Sequence, residues 1–292
     1  MTATAASVEA QAKVNLFLHV LAREEGGYHQ LETLFTRIDL ADSVRVRTDT
    51  SRRGLTLTGA DTGPMERNVA YRAAEAFQAE TGWPRGFSIE IEKRIPVRGG
   101  LGGGSADAGA VLRALNALSP EPLAEARLAT IALALGADVP FFATDLPLAI
   151  AWGRGERLLG LRSLPAREVV LCVPPFGVET ASAFAWMAEA RKGAAPSAPA
   201  PLTIDRLDRW DEVARLSAND LEGPVIARHP ELGACLESLG TAGARIARMS
   251  GSGSTVFGVF ERRAGELVGL PAGVQVVHTR TATSVPLVRV LD

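Results

Sequence analysis

Alternation of apolar and polar positions is the first order visible along this chain. In "AKVNLFLHVLA", Val14, Leu16, Leu18 and Val20 fall on one side of an extended strand, and Lys13, Asn15, Phe17 and His19 on the other. Gly26–Gly27 breaks that strand, and "LETLFTRIDL", "DSVRVRTD" and "GLTLTG" follow as further short strands. Such a run, joined by short turns, predicts an antiparallel or mixed sheet, not a strict βαβ alternation. The period then changes. "NVAYRAAEAFQAETG", from Asn68 to Gly82, has helical composition and a closing glycine. "GFSIEIEKRIP" returns to alternation, with Phe87, Ile89, Ile91 and Ile95 on one face, and runs straight into a glycine loop. Past the loop, Ala108, Val111, Leu112, Leu115 and Leu118 recur at helical spacing. A second helix, "EARLATIALALG", stops at Gly136 and delivers "ADVPFF".

The second half repeats the mixture. "EVVLCVPP" reads as an apolar strand, and "DRWDEVARL" and "GPVIARHPELGACLESLG" read as helices. In "ARMSGSGSTVFGVF" a second Gly/Ser loop feeds a strand. The Pro/Ala-rich stretch 192–201 is a linker or a surface loop. At 292 residues the chain is long for one core. We place a boundary near residue 160, giving an N-terminal domain over 1–160 and a C-terminal domain over 161–292.

Composition narrows the function classes. With 47% hydrophobic and 22% charged residues the chain reads as globular and soluble. A formal net charge of -2, with no block of like charges, leaves no footprint for nucleic acid. The greasiest stretch is cut by Asp138, Pro140, Asp145 and Pro147, which argues against a membrane span. "MTATAASVEAQAK" lacks the apolar core of a signal peptide. Cys172 and Cys235 form no CxxC, and the four histidines show no metal-ligand spacing. The expectation is a reduced, cytoplasmic protein with no nucleic-acid or membrane partner.

"PVRGGLGGGSADAG" carries the sharpest chemical signal. Five glycines occupy the six positions from Gly99 to Gly104, between a strand and a helix. Without side chains, successive N–H groups can converge on an anion, and the helix N-terminus adds its dipole. No Lys-Ser/Thr follows the last glycine, so this is not a Walker A loop, and GxGxxG is out of register. Ser105 is placed to cap the helix or to meet a phosphate or metal ion. The plain alternative is a tight turn that lets helix and sheet pack closely. With "SGSGS" downstream, two glycine loops lining one cleft are expected.

Phosphoryl transfer also needs a cation near the transferred group and a residue for the hydroxyl proton. Lys13 and Asp138 are candidates. Lys13 reads otherwise as a solvated strand end, and Asp138 as a turn cap or salt-bridge partner. Tyr28 and His29, in the glycine-led turn "GGYHQ", can stack on a planar base or simply finish a loop.

Four segments in order, "AKVNLFLHV…GGYHQLETLF", "KRIPVRGGLGGGSADAG", "LGADVPFF" and "MSGSGSTVFGVF", resemble the GHMP small-molecule kinases. The first segment and the triple glycine before Ser105 resemble the branch acting on a cytidyl diphosphate substrate. "ERNVAYRAAEAF" and "SANDLEGPV" fit as well, so the likeness spans nearly the whole chain. It implies an α+β fold of two domains, an N-terminal mixed-sheet domain and a C-terminal ferredoxin-like domain, with the active site in the cleft between them. It implies transfer of the ATP γ-phosphate to the 2-hydroxyl of a methylerythritol unit, in the non-mevalonate route to isoprenoid precursors. Asp138 then accepts or orients the hydroxyl proton, and Lys13 stabilises Asp138 and developing negative charge. Pro96, Val97, Arg98, Gly99, Gly100, Leu101, Gly102, Gly103, Gly104, Ser105 and Ala106 wrap the ATP phosphates, which largely hold Mg²⁺; Asn68 joins the nucleotide side. Asn15, Tyr28 and His29 belong to the substrate side. In "ETASAF", Thr180 is a substrate contact and Phe184 stacks opposite Tyr28. Two departures stand out. Ser105-Ala106 replaces a common pair of serines, and Gly109 replaces a common alanine, which is expected to loosen the helix by about a kcal/mol. Rival readings are a GHMP kinase for mevalonate, homoserine or a sugar, and a noncatalytic nucleotide-binding module.

Overall fold

Strand β1 (Ala5–Arg23) and strand β2 (His29–Arg47) pair antiparallel along most of their length and form the spine of the molecule. The computed structural model describes residues 3–23, 29–48, 50–192 and 202–291. Where the sequence predicts two strands over 31–48, one continuous β2 runs through. The reason is Asp42. It stands where the second of those strands was expected to begin, and its carboxylate is fully buried and accepts the N–H groups of Arg94 and Ile95 at 2.5 and 2.8 Å. Satisfied in that way, it stays in the strand.

Around this spine lie β3 (Arg53–Thr58), α1 (Val69–Thr81), β4 (Phe87–Glu92), α2 (Gly103–Leu118), α3 (Glu125–Leu135), α4 (Val139–Phe142), β5 (Leu148–Gly153) and β6 (Arg157–Gly160). Among the described residues the first sheet has seven strands, in the order β11 (Arg289–Leu291)-β1-β2-β4-β3, with β5 on β2 and β6 on β5. β3 runs parallel to β4, so the sheet is mixed as expected. α1 ends as predicted, at Gly82 in the left-handed conformation (φ 71°).

The second half contributes β7 (Glu168–Val173), α5 (Thr180–Ala190), α6 (Trp210–Leu216), α7 (Glu222–Ile226), α8 (Glu231–Thr241), β8 (Ile246–Met249), β9 (Val256–Phe260) and β10 (Gln275–Arg280). The four strands form an antiparallel sheet in the order β10-β7-β9-β8. The chain closes with β11 (Arg289–Leu291), which pairs with β1, so the first sheet draws on both ends of the sequence. The Pro/Ala-rich stretch from 193 to 201 lies outside the described residues.

Two cores result, and period-2 alternation divides them. Val169, Leu171, Phe257 and Val259 face the large core built on β1, β2, α1 and α2. Val170, Cys172, Val256 and Phe260 face a smaller core with α5, α7 and α8. β1 belongs to both: Val14 and Leu16 pack in the first, Leu18 and Val20 in the second. The polar set Lys13 and Asn15, on the other face of β1, is buried as well. Strand-like bonds also join the halves. Leu18 donates its N–H to Ala218 (2.8 Å), Asp220 donates to the Leu18 carbonyl (3.0 Å), and Ser217 Oγ donates to the Leu16 carbonyl (2.7 Å).

Candidate active site

A cleft of about 1740 Å³ opens where the two halves meet. Three arms of the chain converge on it: β1 and β2, the 96–106 loop with the start of α4, and segment 177–192 facing the loop at 251–253. The two glycine loops touch, as the sequence suggests. Thr255 donates its N–H to the Gly99 carbonyl (3.2 Å), and Ser250 Oγ donates to the Gly100 carbonyl (2.9 Å).

The 96–106 loop presents backbone, not side chains. Gly100 and Gly102 hold φ of 74° and 73°. A Cβ on Gly102 would come within 2.8 Å of the Phe142 ring and 3.3 Å of Lys13 Cε, so only glycine lets α2 begin there. α2 starts at Gly103 with Gly102 as its N-cap, three residues earlier than a Ser105 cap would place it. Ser105 therefore sits in the first turn, half-buried, and the capping alternative falls away. The N–H groups of Gly103, Gly104 and Ser105 have no acceptor within the helix, which is the arrangement a phosphate needs. Leu101 and Ala106 are buried core residues, Pro96 is half-buried, and Val97 and Arg98 are exposed. Of this stretch, Arg98, Gly100 and Gly102 line the cleft.

Lys13 and Asp138 meet in the cleft although 125 positions separate them. Lys13 Nζ lies 3.8 Å from Asp138 Oδ2, and their side chains are 4% and 33% exposed. The Lys13 ammonium also donates to Asn15 Oδ1 (2.7 Å) and the Gly100 carbonyl (3.0 Å), and lies 5.5 Å from the Phe35 ring centroid. Burial pulls its pKa below the ordinary lysine value, and the Asp138 carboxylate opposes that fall. Asn15 is oriented in turn: its Nδ2 donates to Thr33 Oγ1 (2.8 Å), whose hydroxyl donates to the Phe17 carbonyl (2.7 Å). Asp138 precedes α4 but its side chain makes no capping bond, which leaves the carboxylate facing the cleft.

On the other side of the cleft, Thr180 opens α5 and its Oγ1 is 3.0 Å from Ser252 Oγ. The Phe184 ring stacks on His29, with centroids 4.6 Å apart and planes at 19°. Tyr28, the expected stacking partner of Phe184, lies outside the described residues. Asn68 does not line the cleft. It caps α1, accepting the N–H groups of Ala70 (2.9 Å) and Tyr71 (3.4 Å).

Sequence reasoning missed the support beneath the loop. Lys93 Nζ contacts Asp107 (2.6 Å) and Asp42, all three buried. Burial would lower its pKa, but Asp107 and Asp42 outweigh that and hold it above the ordinary value. Burial, aided by Asp42 and opposed by Lys93, pushes Asp107 up to about 7. Asn219 was also missed as a brace, donating from Nδ2 to the Met249 (2.7 Å) and Gly251 (2.8 Å) carbonyls. "SAND" was the available signal, an Asx-type sequence before a helix. Arg37 was missed as well. It is fully buried and donates to the carbonyls of Phe141 in α4 and of Thr144 and Leu146 just beyond it (2.8, 2.9 and 3.0 Å). Burial lowers its pKa to about 9.

Comparison with known proteins agrees with this geometry. Residues 68–145 match the GHMP kinases N terminal domain and residues 203–269 the GHMP kinases C terminal domain. The 4-diphosphocytidyl-2-C-methyl-D-erythritol kinase of Anaeromyxobacter dehalogenans (strain 2CP-C) is 45% identical over 295 residues, covering 96% of this chain and 91% of that one. The chain belongs to this kinase family. The family enzyme from Parvibaculum lavamentivorans is 40% identical, over 86% of this chain and 87% of its own length. A crystal structure of a 4-(cytidine 5'-diphospho)-2C-methyl-D-erythritol kinase superposes with a TM-score of 0.75 at 36% identity, covering 94% of this chain and 99% of that one. Homoserine kinase from Cytophaga hutchinsonii, at 17% identity and a TM-score of 0.68 over 98% and 97% of the two chains, shares the fold. As a member of the family, the chain is an ATP-dependent small-molecule kinase with the two-part α+β architecture of the GHMP kinases. No helix among the described residues is long and apolar enough to cross a membrane.

Proposed function

We propose that this kinase phosphorylates the 2-hydroxyl of 4-diphosphocytidyl-2-C-methyl-D-erythritol, in the non-mevalonate route to isoprenoid precursors. The observation that carries the chemistry is the Lys13–Asp138 pair at the mouth of the glycine loop. Bound ATP, with Mg²⁺ on its phosphates, supplies the phosphoryl group and the metal's positive charge. Its place is the first turn of α2, whose open N–H groups suit phosphate oxygens. Among the described residues no cluster of three His, Cys, Asp or Glu side chains could hold a metal. The oxygen donors near the loop, Asp138 and Ser105, suit a Mg²⁺ carried mainly by phosphates.

Asp138 faces the cleft and takes or orients the proton of the attacking hydroxyl. Lys13 pairs with that carboxylate and holds it in place. With two of its three donors spent on Asn15 and Gly100, the ammonium has a fixed position and does not drift with the ligand. Asn15, Thr180, His29 and Phe184 form the substrate side, the two rings offering flat surface for a pyrimidine. In this reading residues 1–160 supply the nucleotide loop and the catalytic pair, and 161–292 close the cleft.

The test is ATP consumption by the purified protein with the diphosphocytidyl methylerythritol substrate, mevalonate, homoserine or galactose. Turnover of the first is expected. Turnover of one of the others alone overturns the substrate assignment. Asp138→Asn should lower kcat by about two orders of magnitude or more, as for a lost general base. A near-normal kcat in that variant removes Asp138 from its role.

A further inference from the structure

Arg98 is the single non-glycine residue at positive φ (59°) among the described residues. A side-chain-bearing residue in the left-handed region is strained, and such strain persists where the surroundings enforce it, most often at functional sites. The neighbouring positions 99, 100 and 102–104 are all glycine, yet at the position where the backbone needs one, the chain carries its largest cation.

The surroundings are equally particular. A Cβ on Gly177 would come within 2.8 Å of Arg98 Cβ and 3.1 Å of its carbonyl oxygen. Gly177 therefore packs directly on the stem of Arg98, and only a glycine there permits it. The side chain leaves the loop at the seam between the nucleotide arm and the arm bearing Thr180 and Phe184, and it lines the cleft. It is exposed and has no hydrogen-bond or ion-pair partner among the described residues.

The other cleft cations differ. The donors of Lys13 are engaged by Asn15, Gly100 and Asp138. Arg154 has a partner. Lys192 follows the far end of α5. Arg98 is thus an uncommitted guanidinium on the phosphate loop, and its planar fork of donors matches phosphate oxygens.

We propose that the Arg98 side chain is a phosphate clamp, binding phosphate oxygens where donor and acceptor meet. The proposal rests on the kinase reading above and adds to the backbone cradle a side-chain contact. The phosphate belongs to the nucleotide or to the diphosphate of the acceptor, and the experiment separates the two.

Arg98→Gly is the informative variant, because glycine removes the guanidinium and relaxes the backbone together. Its melting temperature should equal or exceed that of the parent, while kcat/KM falls at least tenfold; Arg98→Lys should recover part of the loss. Calorimetric titration of Arg98→Gly with a non-hydrolysable ATP analogue and, separately, with CDP locates the contact. Weaker analogue binding assigns it to the donor and weaker CDP binding to the acceptor. Unchanged binding of both with a lower kcat assigns it to the phosphoryl group in transit. Kinetics and both affinities within twofold of the parent overturn the proposal. Failure of the kinase reading itself is separately visible, because the unmodified protein would then not turn over the cytidyl substrate.

Discussion

Two buried lysines flank the same glycine loop, and they do opposite things. Lys93 sits at the end of β4 between Asp42 and Asp107, and its charge is compensated twice over inside the core. Lys13 has one carboxylate, at 3.8 Å, and that carboxylate is a third exposed to the cleft. Burial dominates at Lys13 and lowers its pKa; the two acids win at Lys93 and raise it. A charge that the fold has satisfied is silent toward ligands. A charge that the fold leaves short of partners is available to the charge that develops during transfer. Lys93, just past β4, reaches Asp42 in β2 and Asp107 in α2, so it ties together elements on either side of the loop.

This contrast is open to direct attack. Lys13→Met should cut kcat on the order of 100-fold or more, as for a lost electrostatic contact in a preorganised site. Lys93→Met should instead cost about 3–5 kcal/mol of stability, because two buried carboxylates lose their cation. Denaturant unfolding and turnover of both variants decide the matter, and a Lys13→Met that loses more stability than Lys93→Met reverses the contrast.

A smaller effect is expected at Gly109. A Cβ there would lie 2.5 Å from the Phe142 carbonyl carbon and 2.6 Å from its Cβ. The sequence suggests that glycine merely loosens α2, but the structure corrects this: the missing side chain lets α4, which follows Asp138, press against α2. Gly109→Ala should cost about 1–3 kcal/mol by overpacking despite alanine's better helix propensity. A stability equal to or above the parent's would show that the contact yields without cost.

A further effect concerns pH. Asp107 titrates near 7 in the fold and near 3.8 when unfolded, so between these values the folded state holds the extra proton. Its contribution to stability therefore falls as pH rises from about 4 to about 7. Asp107→Asn should flatten that part of the stability profile. An unchanged slope would place the titration elsewhere.

The two lysines also show how far a sequence can be read. Lys13 drew attention because it leads an apolar strand beside Asn15, and both were found on one face, 2.7 Å apart. Lys93, in "EKRIP", reads as one more charge at a strand end. Its partners lie 51 and 14 positions away, and no local spacing connects them. Phe184 lines the cleft, and the ring described against it is His29, not the expected Tyr28, which lies outside the described residues. The break expected at Ala41, between the two strands, is absent for the same kind of reason, a distant backbone satisfying Asp42.

By itself the sequence determined what depends on neighbours: strand and helix periods, the helix end at Gly82, and the order of the motifs. Backbone conformation answers to nearby residues, so these were legible. Tertiary structure decided which polar groups are dry, which charges are paired, and why Gly109 and Gly177 lack side chains. Those properties depend on the distance between groups far apart in the chain, and desolvation and Coulomb energy follow that distance, not the spacing in sequence.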